Sequence, residues 1–292
     1  MNRRVDAVKR YVNLGCGGRY HPDWINIDIV AHGPQVIQHD LARGIPLPDA
    51  SCDVVYHAAV FEHIRRIDAP SFLHECWRVL EPGGIIRIGV PDLEQLCRLY
   101  LEKLALAAAG DKDAVHDYDW VMFELYDQTV REQSGGEMLD YLRQDPLPNE
   151  AFVYERIGDE GRQLVQTLRG QKQHQAQTSP ATPEPLWRRL GRNVTVLRGE
   201  FKQRLLARLL GADGLRALAI GRFRLAGEVH QWMYDRYSLA RLLLATGFVD
   251  PVVQGPTVSR IAGWQHYYLD TLPDGSVIKP DLLFLEAIKP IE

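Results

Sequence analysis

Residues 11–18, Tyr11-Val12-Asn13-Leu14-Gly15-Cys16-Gly17-Gly18, decide the fold. A short apolar strand runs straight into a turn rich in glycine. Glycine has no Cβ and tolerates φ > 0, so such a turn lets the backbone approach a ligand closely. In open α/β sheets, ligands bind outside the carboxyl ends of the strands. Working outward, Trp24-Ile25-Asn26-Ile27-Asp28 is a second apolar strand ending in a carboxylate. An acid at that position can accept both hydroxyls of a ribose. Gln38-His39-Asp40-Leu41 ends a third short strand in another acid.

The pattern continues. Cys52-Asp53-Val54-Val55-Tyr56-His57 reads as the fourth strand, followed by Phe61-Glu62-His63. Residues 68–80 place Phe72, Leu73, Cys76, Trp77 and Leu80 at helical spacing, with Asp68 as N-cap. Leu80-Glu81-Pro82-Gly83-Gly84 turns into a fifth strand over 84–90, and Pro91-Asp92 opens a helix from 93 to 109. Pro22 keeps residues 19–23 as loop, so the helix that usually follows a glycine turn is shortened. Strand and connection alternate five times, which predicts a doubly wound α/β sheet.

The ordered set Asn13-Leu14-Gly15-Cys16-Gly17-Gly18, Phe61-Glu62-His63-Ile64 and Leu80-Glu81-Pro82-Gly83-Gly84 resembles the class I S-adenosyl-L-methionine (SAM)-dependent methyltransferases. It is most similar to the type-11-like branch that modifies glycans and small molecules. The resemblance covers residues 8–100 and, more loosely, the tail from Gly227. It implies a Rossmann-like, mostly parallel, seven-stranded sheet that closes with an antiparallel pair, here residues 248–254 and 282–288. It implies SAM as cofactor, with Asn13, Gly15, Cys16 and Gly17 against it. Asp28 falls on the ribose, Asp40 and Leu41 beside the adenine, and His57 where methyl group and acceptor meet. Many members carry an acid at the end of the first strand and a third glycine after the turn. Here those places hold Asn13 and Arg19.

Three segments follow: a SAM-binding core over 1–110, a mainly helical insertion over 111–226, and a return to the core sheet over 227–292. Within the insertion, the polar, proline-bearing residues 170–185 read as a flexible linker. The return opens with Glu228, His230, Trp232, Tyr234 and Asp235. Aromatics with carboxylates suit a polyhydroxy acceptor, though the same residues suit a packed lead-in to a helix over 238–246 with Ser238 as N-cap. His230 is the candidate general base, with His63 and Asp235 as further catalytic candidates. The expected reaction is methylation of a small-molecule or glycan acceptor, first a sugar hydroxyl. An NAD-dependent oxidoreductase and a non-catalytic partner protein that keeps the fold are the alternatives.

At 292 residues, 46% hydrophobic and 25% charged, the composition is that of a globular protein. The net charge of −4 gives no overall attraction to nucleic acid. The polar N-terminus predicts no signal peptide, and no apolar run predicts a membrane span. Cys16, Cys52, Cys76 and Cys97 show no paired spacing, so reduced thiols in a cytoplasmic protein are expected, with no metal site. Residues 187–224 carry ten basic residues against two acids. A solvated helical face, a surface for anionic lipid or a lipid-linked acceptor, and nucleic acid are the readings, in that order. The second would put the protein at the periphery of the inner membrane surface.

Overall fold

Side chains alternate between the two faces of a sheet, so the covering of each face can be read from its strands. The computed structural model describes residues 10–177 and 208–291. Seven strands form one sheet: β1 (Tyr11–Leu14), β2 (Ile25–Asp28), β3 (Val36–Gln38), β4 (Cys52–Ala58), β5 (Leu80–Pro91), β6 (Val249–Gln254) and β7 (Leu282–Ile288). Their order is β3-β2-β1-β4-β5-β7-β6. The first five run parallel, and β7 is antiparallel to both β5 and β6. This is the Rossmann-like, mostly parallel sheet expected. The helices are α1 (Ala69–Val79), α2 (Leu93–Ala108), α3 (Lys112–Met122), α4 (Gln128–Val130), α5 (Gly136–Leu142), α6 (Glu150–Gln177), α7 (residues 208–224) and α8 (Arg236–Thr246).

One face is conventional. Val12, Leu14, Val55, Ile86 and Ile88 are buried against Phe72, Leu73, Cys76 and Val79 of α1 and against Leu239 and Leu243 of α8. Each such side chain contributes about 1.5–3 kcal/mol on burial. The other face lacks the helix between β1 and β2 that Pro22 excludes. The segment 255–281, between β6 and β7, covers it instead. Its Ile261, Trp264 and Leu269 pack on Tyr11, Trp24, Val54 and Tyr56. Trp24 meets the rings of Tyr11 and Tyr267 edge-on, each at 5.1 Å.

That segment is tied to the sheet by Arg87, which is wholly buried. Its guanidinium donates to Asp270 (2.8 and 3.1 Å), to Glu286 (2.7 Å) and to the carbonyls of Gly255 (2.8 Å) and Val258 (3.1 Å). All five N–H donors are used. Trp264 and Phe284 stack on it at 4.5 and 4.7 Å. Asp270 also accepts from the Tyr56 hydroxyl at 2.6 Å.

The insertion has its own core of Trp120, Tyr141, Leu142, Val153, Val165 and Leu168. Arg156 of α6 pairs with buried Glu124 and reaches Gln95 of α2 at 2.6 Å. Three local expectations are corrected. Residues 170–177 continue α6 rather than forming a linker, because Gln, Lys and Ala are good helix formers whatever their polarity. The remainder of the expected linker, and residues 187–207 of the basic stretch, lie outside the described residues. Asp235, not Ser238, caps α8; Ser238 is the third residue and returns the bond in a capping box. Asp68 makes no cap bond, because Arg65 holds its carboxylate at 2.6 Å. Of the basic residues described, Arg216 pairs with Glu132 and Arg224 donates to the Thr129 carbonyl. Among the described residues no helix is long and apolar enough to cross a membrane.

Arg87→Met should destabilise the fold by about 3–5 kcal/mol, because it strands two buried carboxylates. Urea unfolding measures this, and a loss under about 1 kcal/mol would show the network to be dispensable. A second ion pair fixes the loop before β4. Glu75 of α1 accepts from Arg78 at 2.8 Å and from the Ile45 N–H at 2.9 Å. The Arg78 bonds hold its carboxyl down at about 2, against an ordinary 4.5. A depressed carboxyl contributes stability above its unfolded pKa and loses it as pH falls through the folded one. The unfolding midpoints of the wild type and Glu75→Gln should therefore differ most above pH ~5 and converge toward pH ~2. A gap that stayed constant with pH would exclude this role.

Candidate active site

The glycine turn leaves β1 with Gly15 at φ 65° and Gly17 at φ 53°. Both Gly15 and Cys16 N–H donate to the Ile27 carbonyl of β2, at 2.7 and 3.3 Å. A Cβ on Gly15 would stand 2.4 Å from a methyl of Val60, so only glycine lets the turn rest on the end of β4. Asn13 donates its side-chain amide to the Arg19 carbonyl at 3.1 Å and so closes the turn. The two departures from the family pattern are thus bonded to one another.

A cleft of about 440 Å³ opens above this turn. Its lining includes Asn13, the turn from Gly15 to Arg19, and Tyr56 and Ala58 of β4. Across from them stand Glu160 of α6, Lys279 and Phe284. Lys279 and Glu160 pair at 3.4 Å. They meet because α6 breaks at Gly158, which has φ 61° and ψ −152°. A Cβ there would lie 2.4 Å from the Ile278 carbonyl oxygen.

The expected site residues divide. Asn13, Gly15, Cys16 and Gly17 line the cleft. Burial, then Asp28, raises the Cys16 thiol to about 11, so it is a neutral group there. Asp28 turns its carboxylate back onto the turn, accepting from Gly17 N–H at 2.8 Å and from Val30 N–H at 2.9 Å. Asp40 caps a short turn that starts at Leu41, accepting from Ala42 N–H at 3.0 Å, and neither residue lines the cleft. His57 is a correction. Asn13 pairs with Tyr56 across β1 and β4, so Tyr56 and Ala58 share the cleft's face and His57 points away. It is fully buried among Phe61 and Phe72, and burial lowers its pKa to about 3. Asp235 is another correction. Its carboxylate accepts from the Tyr237 and Ser238 N–H groups as the α8 cap, which holds it below the usual carboxylate range.

Glu228 and Tyr234 are likewise engaged in structure. Glu228 accepts from Arg131 and Gly135, and Tyr234 stacks on Phe61 at 4.9 Å. Of the cluster before α8, His230 keeps an unpartnered Nδ1 and Tyr234 an unpartnered hydroxyl among the described residues, and Trp232, 40% exposed, lies under the Arg66 guanidinium at 4.6 Å. His230 meets His63 with ring centroids 4.8 Å apart. Beside them lies Glu62, 1% exposed. Burial lowers both imidazoles, His230 to about 3, and raises Glu62 to about 7. The sequence reading passed over Glu62 for its neighbour His63. It also missed Tyr56, although the pairing of Tyr56 with Asn13 carried that signal. Glu160 and Lys279 carried none, since only the tertiary fold brings them together.

A methyltransferase-domain family model matches residues 13–88. A protein of Mycolicibacterium smegmatis named a probable S-adenosylmethionine-dependent methyltransferase is 44% identical over 103 residues, covering 30% of this chain and 39% of the relative. A Mycobacterium tuberculosis protein of the same name is 43% identical over 58 residues, 20% of each chain. The match thus spans well under half of each of these relatives. A SAM-dependent methyltransferase structure from Archaeoglobus fulgidus covers 96% of this chain and 86% of its own, at 12% identity and a TM-score of 0.37. A Burkholderia thailandensis 1,6-didemethyltoxoflavin-N1-methyltransferase with bound S-adenosylhomocysteine covers 96% and 71%, at 10% identity and 0.35. These loose superpositions add nothing to the topology described above. The motif order, the sheet order and the matched stretch agree: residues 13–88 are a methyltransferase domain of the class I, SAM-dependent type.

Proposed function

We propose that the chain transfers a methyl group from SAM to a hydroxyl of a sugar or glycan intermediate. The observation that carries the cofactor is the Gly15–Arg19 turn, seated on Val60 and opening into a cleft with charges of both signs. The cofactor's amino-acid end is a zwitterion. Arg19 and Lys279 offer its carboxylate cationic partners, and Glu160 offers its ammonium the acid that Asn13 does not supply. Asp28 keeps acceptor lone pairs free beside its bonds to Gly17 and Val30 for a ribose hydroxyl.

The sulfonium of SAM supplies an already activated methyl group. The protein's part is chiefly alignment, which turns a bimolecular encounter into a positioned one. Val60 links the turn to the Glu62–His63 step, and His230 is held beside it. Acceptor binding therefore belongs at this end, where Trp232, 40% exposed and with the Arg66 guanidinium 4.6 Å from its ring, would meet a sugar ring. The choice of a sugar rests on that aromatic face and on the resemblance.

Thermal unfolding with SAM, S-adenosylhomocysteine and NAD in parallel tests the cofactor. A ligand at 100 times its Kd adds about 2.7 kcal/mol. The two sulfur compounds should shift the transition and NAD should not; a shift with NAD alone would sink the reading. Label transfer from methyl-tritiated SAM into sugar nucleotides and lipid-linked glycans tests the acceptor, and label found only in amine or thiol acceptors would refute O-methylation.

Glu160→Gln removes one charged partner of the amino-acid end. It should weaken SAM binding ~10-fold or more, taking about 1.5–3 kcal/mol for a hydrogen bond to a charged group, with no loss of thermal stability. Unchanged affinity by calorimetry would remove Glu160 from the site. Gly158→Ala should lower both stability and SAM affinity, because forcing alanine into a backbone conformation used almost only by glycine costs about 1–3 kcal/mol and its methyl displaces the stretch of chain carrying Lys279. Wild-type affinity in that variant would mean that the 278–280 segment does not shape the cleft.

A further inference from the structure

Glu62, His63 and His230 form a donor set that methyl transfer does not explain. One ligand atom from each lies within 4.8 Å of the other two. The Val229 carbonyl can only accept, so its 3.3 Å contact places the His63 proton on Nδ1. The lone pair of Nε2 then faces inward, 4.0 Å from a Glu62 oxygen. A backbone carbonyl on the far ring nitrogen is the usual arrangement for a histidine that ligates a metal. The other Glu62 oxygen and His230 Nδ1 are buried without a hydrogen-bond partner among the described residues. Glu62 is 99% and His230 94% buried by their 1% and 6% exposures.

The backbones that carry these groups are fixed to each other. The Glu62 carbonyl accepts from Gln231 N–H at 2.7 Å and Trp232 N–H at 3.2 Å, and His230 N–H donates to Gln128 at 2.9 Å. The two cations around them, Arg131 and Lys279, are already engaged, and the acids outnumber them. Arg131 is held by Asp127 and Glu228, and Lys279 by Glu160. Asp281 is the remaining acid whose field reaches Glu62. The carboxylate of Glu62 therefore has no cation of its own, and buried charges are paired or coordinate metals.

We propose that Glu62, His63 and His230 bind a divalent transition-metal ion, zinc by preference, with coordination positions left open for water or an oxygen ligand. Two imidazoles and one carboxylate suit zinc and its neighbours, whereas magnesium and calcium favour oxygen. Tetrahedral zinc with bonds of about 2.0–2.2 Å sets its donors roughly 3.4 Å apart. The three donors, within 4.8 Å of one another, would have to close to that spacing on the ion. This reverses the expectation, drawn from cysteine spacing, that the chain has no metal site; the ligands here are histidines 167 positions apart in sequence, and spacing cannot reveal them. The inference stands on the donor geometry and not on the methyl-transfer reading.

The test uses the full chain, stripped with chelator and titrated with Zn²⁺ and with Co²⁺ as a spectroscopic probe. Elemental analysis after dialysis should find one equivalent of zinc. Co²⁺ should give the intense visible bands of a low-symmetry site, and zinc should raise the unfolding temperature. His63→Gln and His230→Gln should each lose the bands and the stabilisation, and Glu62→Gln should weaken binding at least tenfold. His74→Gln, on an exposed helix position, serves as the control for surface binding and should match the wild type. Should a variant fail to fold, the wild-type spectrum and stoichiometry still decide. Less than a tenth of an equivalent bound, or equal uptake by wild type and the His63→Gln/His230→Gln double variant, overturns the site. Zinc uptake without methyl transfer would sink the proposed function and leave this inference standing; transfer by metal-free protein with no zinc uptake would do the reverse.

Discussion

The structure depends on one buried charge. Arg87 points to the face of the sheet that no early helix covers, and a guanidinium in that position must have every donor satisfied. Asp270, Glu286 and two loop carbonyls meet that demand, and each comes from beyond residue 250. The result is that segment 255–281 is drawn down as a lid for the face. Ordering a long loop costs about 1–2 kcal/mol per residue in backbone entropy. The aromatic packing of Trp24, Tyr56 and Trp264 offsets that loss, but packing alone does not set register. The five directed bonds do. Asp270 then passes the constraint on, because it holds the Tyr56 hydroxyl, and both residues line the cleft.

Local chemistry explains what was legible in the sequence. Strands bury both faces and read as apolar runs, so β1, β2, β4 and β7 stand out from composition and turn residues alone. α1 and α2 announce themselves by spacing and by their proline and glycine boundaries. The lid over the second face has no such signature. Ile261, Trp264 and Leu269 follow neither a two-residue nor a 3.6-residue period, because they dip toward the sheet from an irregular path. The extent of α6 is hidden for a different reason: polarity and proline suggest loop, whereas a glutamine-rich run has adequate intrinsic helicity.

The site divides along the same line. Its glycine turn is local, so Asn13, Gly15, Cys16 and Gly17 were found where the cleft begins. The expectation of His57 is off by one residue of strand parity. A side chain next to the right one points to the opposite face, and the paired register of Asn13 with Tyr56 settles which is which. Asp28 shows a subtler limit. The residue was identified, yet its carboxylate is partly occupied in holding the turn that the cofactor would use. Glu160 and Lys279 depend on the break at Gly158, and no window of sequence contains both sides of that contact.

The trio of Glu62, His63 and His230 also sets two chemistries against each other. Desolvation keeps His63 and His230 neutral, and a histidine pushed to about 3 is a weak acceptor for a hydroxyl proton. The same neutrality leaves imidazole lone pairs free, which is the form a metal requires. Burial therefore argues against His230 as a simple general base while it favours His230 as a ligand. The carboxylate sharpens the contrast. Glu62 without a cation is driven toward its protonated form, raised to about 7. With a divalent ion in reach it would stay ionised, and the ion would supply the field that acidifies a bound oxygen. Activation of an acceptor hydroxyl would then come from the field of an ion held by Glu62, His63 and His230, and no single residue at this site would need to act as a strong base.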